Sequence, residues 1–153
     1  MKKTLLCILA AGIALVGCND SSTNPVTNNS GPVAPTTRLK SGTLTAENGT
    51  PTVGTLTILK DANNQEWLHL NADFTSSFAT GTVTVYLAKS AARIGDQRVL
   101  PPPPVPNIRA IGFVNQNGAQ DLKISGSQQG FSHVVFYCET AEINFGNAPL
   151  VTP

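Results

Sequence analysis

The feature that most constrains this chain is a set of short segments in which apolar and polar residues alternate. The clearest is residues 82–88, TVTVYLA, where Val83, Val85 and Leu87 fall on one side of an extended chain. Alternation with a period of two is typical of a β-strand that buries one face. No stretch beyond the apolar leader has a helical period of useful length. The pattern therefore predicts an all-β fold.

Seven further segments carry a strand signal and are bounded by turn residues: 43–46, 53–60, 66–71, 109–114, 120–124, 132–139 and 142–145. Two Asn-Gly dipeptides, Asn48-Gly49 and Asn117-Gly118, lie between neighbouring segments. Asn-Gly is strongly favoured in tight hairpin turns because both residues tolerate a positive φ. About eight short strands with turns between them predict an antiparallel β-sandwich or barrel-like domain.

The first 18 residues, MKKTLLCILAAGIALVGC, have the organisation of an export signal. Lys2 and Lys3 precede an apolar run of 12 residues, which is too short for a permanent membrane span of about 20 residues. The run ends in Leu15-Val16-Gly17-Cys18, which resembles the lipobox of bacterial lipoproteins. The resemblance implies that residues 1–17 are a cleaved signal peptide and that lipid on Cys18 anchors the chain to a membrane of the bacterial cell envelope. Asn19 favours the outer membrane over the inner membrane.

The segment that follows is polar and rich in Asn, Ser, Thr and Pro. Residues 18–37 are therefore predicted to be the lipidated Cys18 and a flexible tether, with a root-mean-square reach of about 25 Å. The β domain is predicted to occupy residues 38–150 and to be monomeric. Pro101 to Pro104 lack amide donors, so they are expected to form an exposed polyproline II connector outside the sheet.

Charge argues against nucleic-acid binding. Only 12% of the residues are charged, and after the leader there are eight Lys and Arg against nine Asp and Glu. Binding to nucleic acid requires a clustered basic surface.

The end of the chain resembles the DM13 domain, a family found in bacterial envelope proteins. An apolar strand, FSHVVFYC, ends in Cys138 and is followed by NFGNAPL, similar to the family's FGxAxL ending. Weaker similarities cover most of residues 40–150 at Ser41-Gly42-Thr43-Leu44, Asp73-Phe74, Val83 to Leu87, Ile111-Gly112-Phe113 and Gly118-Ala119-Gln120. The resemblance implies an all-β domain with a redox or electron-transfer role centred on Cys138.

Cys138 has two interpretations. Cys7 leaves with the leader and Cys18 carries lipid, so Cys138 is left without an intramolecular partner. It is either a redox thiol or a buried packing residue in a non-catalytic binding or structural domain. Strand alternation places it on the face of Val134 and Phe136, opposite His133. A partner that lowers its pKa would have to come from elsewhere, and His69 and Arg109 are the candidates.

Other chemistry is poorly supported, so the chain is not predicted to be an enzyme with a complete catalytic constellation. No CxxCH motif for covalent haem occurs, which leaves only non-covalent haem bound by Cys138 or a histidine. One Cys and two scattered His are too few to predict a metal site. Ser132 and His133 are expected to point to opposite faces and therefore not to act as a hydrolase pair. Glu139 and Glu142 could meet as paired carboxylates, but a solvated acidic turn is favoured.

Overall fold

A computed structural model describes residues 31–98 and 106–153. The lipobox, Cys18, most of the predicted tether and the Pro101 to Pro104 connector lie outside these residues. The described chain forms eight β-strands and one four-residue helix, and this confirms the all-β prediction. The elements are β1 (Thr37–Ala46), β2 (Gly54–Lys60), β3 (Glu66–Leu70), β4 (Val83–Ala88), α1 (Ile94–Gln97), β5 (Ile108–Val114), β6 (Gln120–Lys123), β7 (His133–Cys138) and β8 (Ile143–Pro149).

The eight strands form a single antiparallel sheet in the order β5-β4-β7-β8-β1-β2-β3-β6. The sheet curls into a nearly closed barrel. Its two end strands, β5 and β6, approach so closely that a Cβ atom added to Gly112 would lie 3.3 Å from Leu122 Cδ2. Of the two predicted architectures, the structure is therefore the barrel-like one.

Side chains from all parts of the sheet fill the inside of the barrel. The predicted inward residues of β4, Val83, Val85 and Leu87, have no exposed surface. They share the inner core with Leu56, Ile58, Leu68, Leu70, Phe74, Ile124, Val134 and Phe136. Burial of each large apolar side chain contributes about 1.5–3 kcal/mol, so this shared core is the main source of stability.

A second apolar cluster lies on the outer side of β4 and β7. Tyr86, Ala88, Val135 and Tyr137 pack there against Ile94 of α1. Alternation within residues 82–88 places Tyr86 on the face opposite Val83, Val85 and Leu87, and there the segment of residues 89–98 covers it and leaves it only 7% exposed. The segment 89–98, part of the connection between the adjacent strands β4 and β5, gives this part of the sheet an apolar layer on both faces.

The two Asn-Gly dipeptides have different roles. Asn48 and Gly49 both have positive φ (51° and 70°), and Thr50 N–H donates to Glu47 O at 3.0 Å. This is the geometry of a type I′ turn, and it joins the paired strands β1 and β2 as predicted. Gly118 also has a positive φ (89°). However, the strands that flank it, β5 and β6, are not hydrogen-bonded neighbours but the two ends of the sheet.

The chain preceding β1 contacts the barrel. Val33 O accepts a hydrogen bond from Ala62 N–H at 3.0 Å, and Val33 N–H donates to Asp61 Oδ2 at 3.4 Å. The last residues of the predicted tether are therefore attached to the loop between β2 and β3. Among the described residues, no helix has the length and apolar character needed to cross a membrane.

Candidate functional site

Cys138 lies at the carboxyl end of β7 and faces the inside of the barrel. Val134 and Phe136 share the inner core with it, whereas Val135 and Tyr137 belong to the outer cluster. The predicted alternation along β7 is therefore confirmed. The residue is 1% exposed and is a free cysteine.

Two polar groups contact the Cys138 sulfur. Thr80 Oγ1 lies 3.3 Å from Sγ, and Ala141 N–H donates to Sγ at 3.4 Å. Burial alone would raise the pKa of the thiol, but the hydrogen bonds from Thr80 and from the backbone of residues 140–141 outweigh it, so the pKa is lowered. The thiol is therefore buried among apolar residues, and the hydrogen bonds at the end of β7 are what lower its pKa.

Local structure explains how these donors reach the sulfur. Residues 139–142 form the tight turn between β7 and β8, with Glu142 at a φ of 54°, and this turn brings Ala141 N–H back toward Cys138. Thr80 belongs to the exposed segment 79–82 and is a central residue of the turn closed by the hydrogen bond from Gly81 N–H to Phe78 O. Thr80 therefore stands between the thiol and solvent.

The candidate partners His69 and Arg109 lie elsewhere. His69 is on β3 opposite the inward Leu68 and Leu70, so it faces outward, and its Nδ1 is 2.7 Å from Asp121 Oδ1. Arg109 on β5 lies opposite Leu87 on β4, and Leu87 lies opposite Val134 on β7. Arg109 is therefore level with the end of β7 that is far from Cys138. Its guanidinium donates to Ser127 O at 2.6 Å and lies over the Phe131 ring. Neither side chain is a partner of the thiol.

The expectation that the side chains of Ser132 and His133 point to opposite faces was wrong. Ser132 Oγ is 2.8 Å from His133 Nδ1. Ser132 precedes β7 and so is not bound by strand alternation. Its hydroxyl also bonds Lys89 O at 2.7 Å, so it is tied to the main chain. Burial lowers the pKa of His133.

Glu139 and Glu142 do not form a carboxylate pair. Glu139 accepts hydrogen bonds from Arg98 Nη2 at 2.8 Å and from Tyr86 Oη at 2.5 Å. Burial opposes ionisation, but these two donors hold the pKa of Glu139 below its ordinary value. Arg98 also lies over the rings of Tyr86 and Tyr137, at 5.9 and 5.5 Å from their centroids. This ion pair holds the segment 89–98 to the residue that follows Cys138.

The sequence analysis did not identify Thr80 or Arg98. Each reaches its partner through tertiary structure, from 58 and 41 positions away along the chain. A weak signal existed for the outer cluster, because the apolar run of β7 continues without alternation through Val135 and Tyr137. Strands that are apolar on both faces are usually covered on both faces.

The donor set does not fit a haem or a metal ion at Cys138. The sulfur belongs to a packed core and has Thr80 and Ala141 as hydrogen-bond partners, which leaves no open face for an iron. Within residues 31–98 and 106–153, no group of three or more His, Cys, Asp or Glu side chains is arranged to hold a metal ion.

No family model, no curated protein and no solved structure matches this chain.

Proposed function

We propose that this chain is a lipid-anchored protein of the bacterial cell envelope whose DM13-like barrel carries Cys138 as a buried redox thiol. The anchor is lipid on Cys18, in the outer membrane. The motif Leu15-Val16-Gly17-Cys18 supports the anchor. The FSHVVFYC and NFGNAPL segments support the domain assignment.

One observation carries the redox role: a hydroxyl and a main-chain N–H are both directed at the Cys138 sulfur from the end of the barrel. Such donors stabilise a thiolate, which is the reactive form of cysteine. The exposed segment 79–82 is the cover that must move to admit a reactant. Access to the thiol is then controlled by this segment.

The chemistry proposed is thiol–disulfide exchange with a disulfide-containing partner. The Cys138 thiolate attacks one sulfur of that disulfide, a new S–S bond forms, and the old S–S bond breaks. The leaving thiolate takes a proton from solvent. The partner's disulfide is the oxidant, so no metal or organic cofactor is required.

The test is labelling of native full-length protein with an aromatic disulfide reagent as a function of pH, with Cys138→Ser as the blank. A redox thiol should label rapidly with a midpoint below about 7.5, against about 8.5 for a free cysteine. Thr80→Val should move the midpoint upward because it removes one donor from the sulfur. Labelling that begins only when the protein unfolds would refute the redox role.

A second candidate function is a non-catalytic binding or structural domain in which Cys138 is a packing residue. The 1% exposure of Cys138 and its place in the inner core favour it. In that case, Cys138→Ala should alter stability and nothing else, and the thiol should stay unlabelled in the native state. The same labelling experiment therefore separates the two functions.

The anchor has its own test, which does not depend on Cys138. Full-length protein expressed in a bacterium should incorporate radioactive palmitate and fractionate with the outer membrane. Cys18→Ala should abolish both properties. Incorporation by the Cys18→Ala variant would refute the lipobox assignment.

A further inference from the structure

Charged residues are divided between the two ends of the barrel. Four carboxylates lie at the end that holds Cys138: Glu47, Asp73, Glu139 and Glu142. Six cations lie at the opposite end, where β1 begins: Arg38, Lys40, Lys60, Lys89, Arg109 and Lys123. We call this opposite end the basic end. The near-neutral composition conceals the separation, because it adds together charges that lie at opposite ends of the molecule.

The cations of the basic end are not neutralised by nearby carboxylates. Asp61 and Glu66 are the carboxylates of the described chain at this end, and each accepts a hydrogen bond from a main-chain N–H group. No ion pair of the described chain includes Arg38, Lys40, Lys60, Arg109 or Lys123. Six cations against two carboxylates leave the basic end with four positive charges in excess.

The cations are distributed around the barrel instead of along one groove. Lys89 follows β4, Arg109 is the second residue of β5, Lys123 ends β6, Lys60 ends β2 and Arg38 is the second residue of β1. Five of the eight strands therefore place a cation at the same end. A ring of this kind can contact a flat anionic surface at several points at once. A nucleic acid strand is bound instead by a groove or a stripe of positive charge.

The chain that leads to the predicted lipid enters at the basic end. Val33 is hydrogen-bonded to Asp61 and Ala62, in the loop between β2 and β3. Residues 19–30 therefore separate Cys18 from the described chain, and a flexible segment of that length spans about 20 Å on average. The basic end is the part of the barrel that such a tether keeps nearest to the lipid.

We propose that the basic end docks on the anionic phospholipid headgroups of the membrane that holds the lipid on Cys18. This inference rests on the proposed lipid anchor and not on the redox role of Cys138. Each Lys or Arg close to an anionic lipid surface strengthens binding about fivefold. The carboxylates at the other end are repelled by the same surface, so both ends of the barrel favour one orientation.

The consequence is that the Cys138 end faces away from the membrane. The exposed segment 79–82, which covers the thiol, is then presented to proteins in solution. A phospholipid surface is favoured over an acidic protein because the tether holds the basic end beside the membrane permanently, whereas a protein has to be captured from solution. The attraction acts within a Debye length of about 8 Å at physiological salt, which lies within the reach of the tether.

The test is energy transfer from Trp67 to a dansyl-labelled lipid headgroup, with the full-length lipidated protein reconstituted in vesicles. Trp67 is the single tryptophan of the chain and lies opposite Lys123 at the basic end. Vesicles that contain phosphatidylglycerol should give more transfer than vesicles of phosphatidylcholine alone, because docking brings Trp67 to the headgroups. About 1 M salt should remove the difference, since it shortens the Debye length to about 3 Å.

The informative variant carries Arg38→Gln, Lys60→Gln and Lys123→Gln. The side chains of these three residues make no hydrogen bond or ion pair in the described part of the chain, so their loss should not disturb the fold. The docking constant should fall about a hundredfold, at about fivefold for each cation. The matched control carries Arg38→Lys, Lys60→Arg and Lys123→Arg, which keep the charge, and it should dock as the unaltered protein does.

A second control, Arg93→Gln, removes a cation that is paired with Asp96 outside the basic end, and it should also leave docking unchanged. Equal transfer in the two kinds of vesicle would overturn the proposal, and so would an increase that survives high salt or the triple Gln variant. An increase seen only when lipopolysaccharide replaces phosphatidylglycerol, or loss of docking to an equimolar acidic protein or DNA duplex, would assign the basic end to that partner. Failure to float with phosphatidylcholine vesicles would instead refute the anchor, and with it the docking.

Discussion

The two halves of the sheet treat their outer faces differently. On β1 and β2 the outward positions carry Ser41, Thr43, Thr55 and Thr57, and this face is open to solvent. On β4 and β7 the outward positions carry Tyr86, Val135 and Tyr137, and the segment 89–98 covers them. Both halves share one inner core. The residues at the outward positions therefore decide whether a strand of this sheet is buried on one face or on both faces.

The largest expected effect is at the inner core, which belongs to both halves. Phe136 is fully buried and its ring centroid is 5.3 Å from that of Phe74. Phe136→Ala should lower the free energy of unfolding by about 3–5 kcal/mol, since it removes a large side chain and leaves a cavity. Urea unfolding monitored by circular dichroism measures it. A loss below about 1 kcal/mol would show that the inner core is not the shared support described here.

The covered outer face should contribute less, but far more than the open one. Ile94, in the segment 89–98, is fully buried against the outer face of β4 and β7. Ile94→Ala should cost about 2–4 kcal/mol in the free energy of unfolding. Thr57→Ala, on the open face, is the matched control and should change it by less than about 0.5 kcal/mol. Equal losses from the two substitutions would erase the distinction between the halves.

Besides the Arg98–Glu139 ion pair, one buried amide holds the segment 89–98 in place. Asn144 Oδ1 accepts from Ile94 N–H at 3.2 Å, and its Nδ2 donates to Ala91 O at 3.2 Å. Asn144→Ala should cost about 1–3 kcal/mol, because it leaves buried main-chain groups unpaired. Hydrogen exchange should accelerate first in residues 92–97. Asn147→Ala, which removes a half-buried bond to Glu47, should leave that segment protected.

Acidification should weaken both halves, each through its own groups. Burial alone would raise the pKa of Asp61. Hydrogen bonds from N–H donors of Trp67, Gln65, Val33 and Asn63 outweigh burial and lower this pKa in the folded protein. The pKa of Glu139 is also lowered. The unfolded chain then binds more protons, so the stabilisation present above about pH 4 is lost as the pH falls through the folded pKa values.

The lowered pKa of His133 acts in the same direction. Its folded form resists protonation, so a further loss begins as the pH falls below about 6.5. Urea unfolding between about pH 7 and pH 3 measures the sum. Asp61→Asn should reduce the pH dependence below pH 5 relative to the unaltered protein. A free energy of unfolding that rose on acidification would contradict this account.

The local features of the fold were predictable and the long-range ones were not. Alternation within 82–88 and within β7 placed Val83 and Cys138 on the inner face, because a strand's side-chain period is a local property. Nothing local says that β5 and β6 end the sheet instead of pairing across Asn117-Gly118. The cover over Tyr86 was also missed, because residues 89–98 contain little apolar pattern beyond Ile94.

The same division applies to the candidate site. The face on which Cys138 lies follows from its strand, whereas its burial was left open by the sequence, and the Thr80 hydroxyl comes from a loop that only the folded sheet brings close. The bond between Ser132 and His133 shows the limit of alternation itself, since it fails one residue outside the strand.

The sheet order gives the last strand a special place in the assembly of the molecule. β8 is the strand that joins β7 to β1, so it connects the half formed by β1, β2, β3 and β6 to the half formed by β4, β5 and β7. A chain lacking residues 143–149 would hold two separate sheets with no common ladder. If residues 1–17 are an export signal, as proposed, the barrel cannot close until β8 has been synthesised. Late closure would keep the chain in the unfolded form that passage through a membrane channel requires.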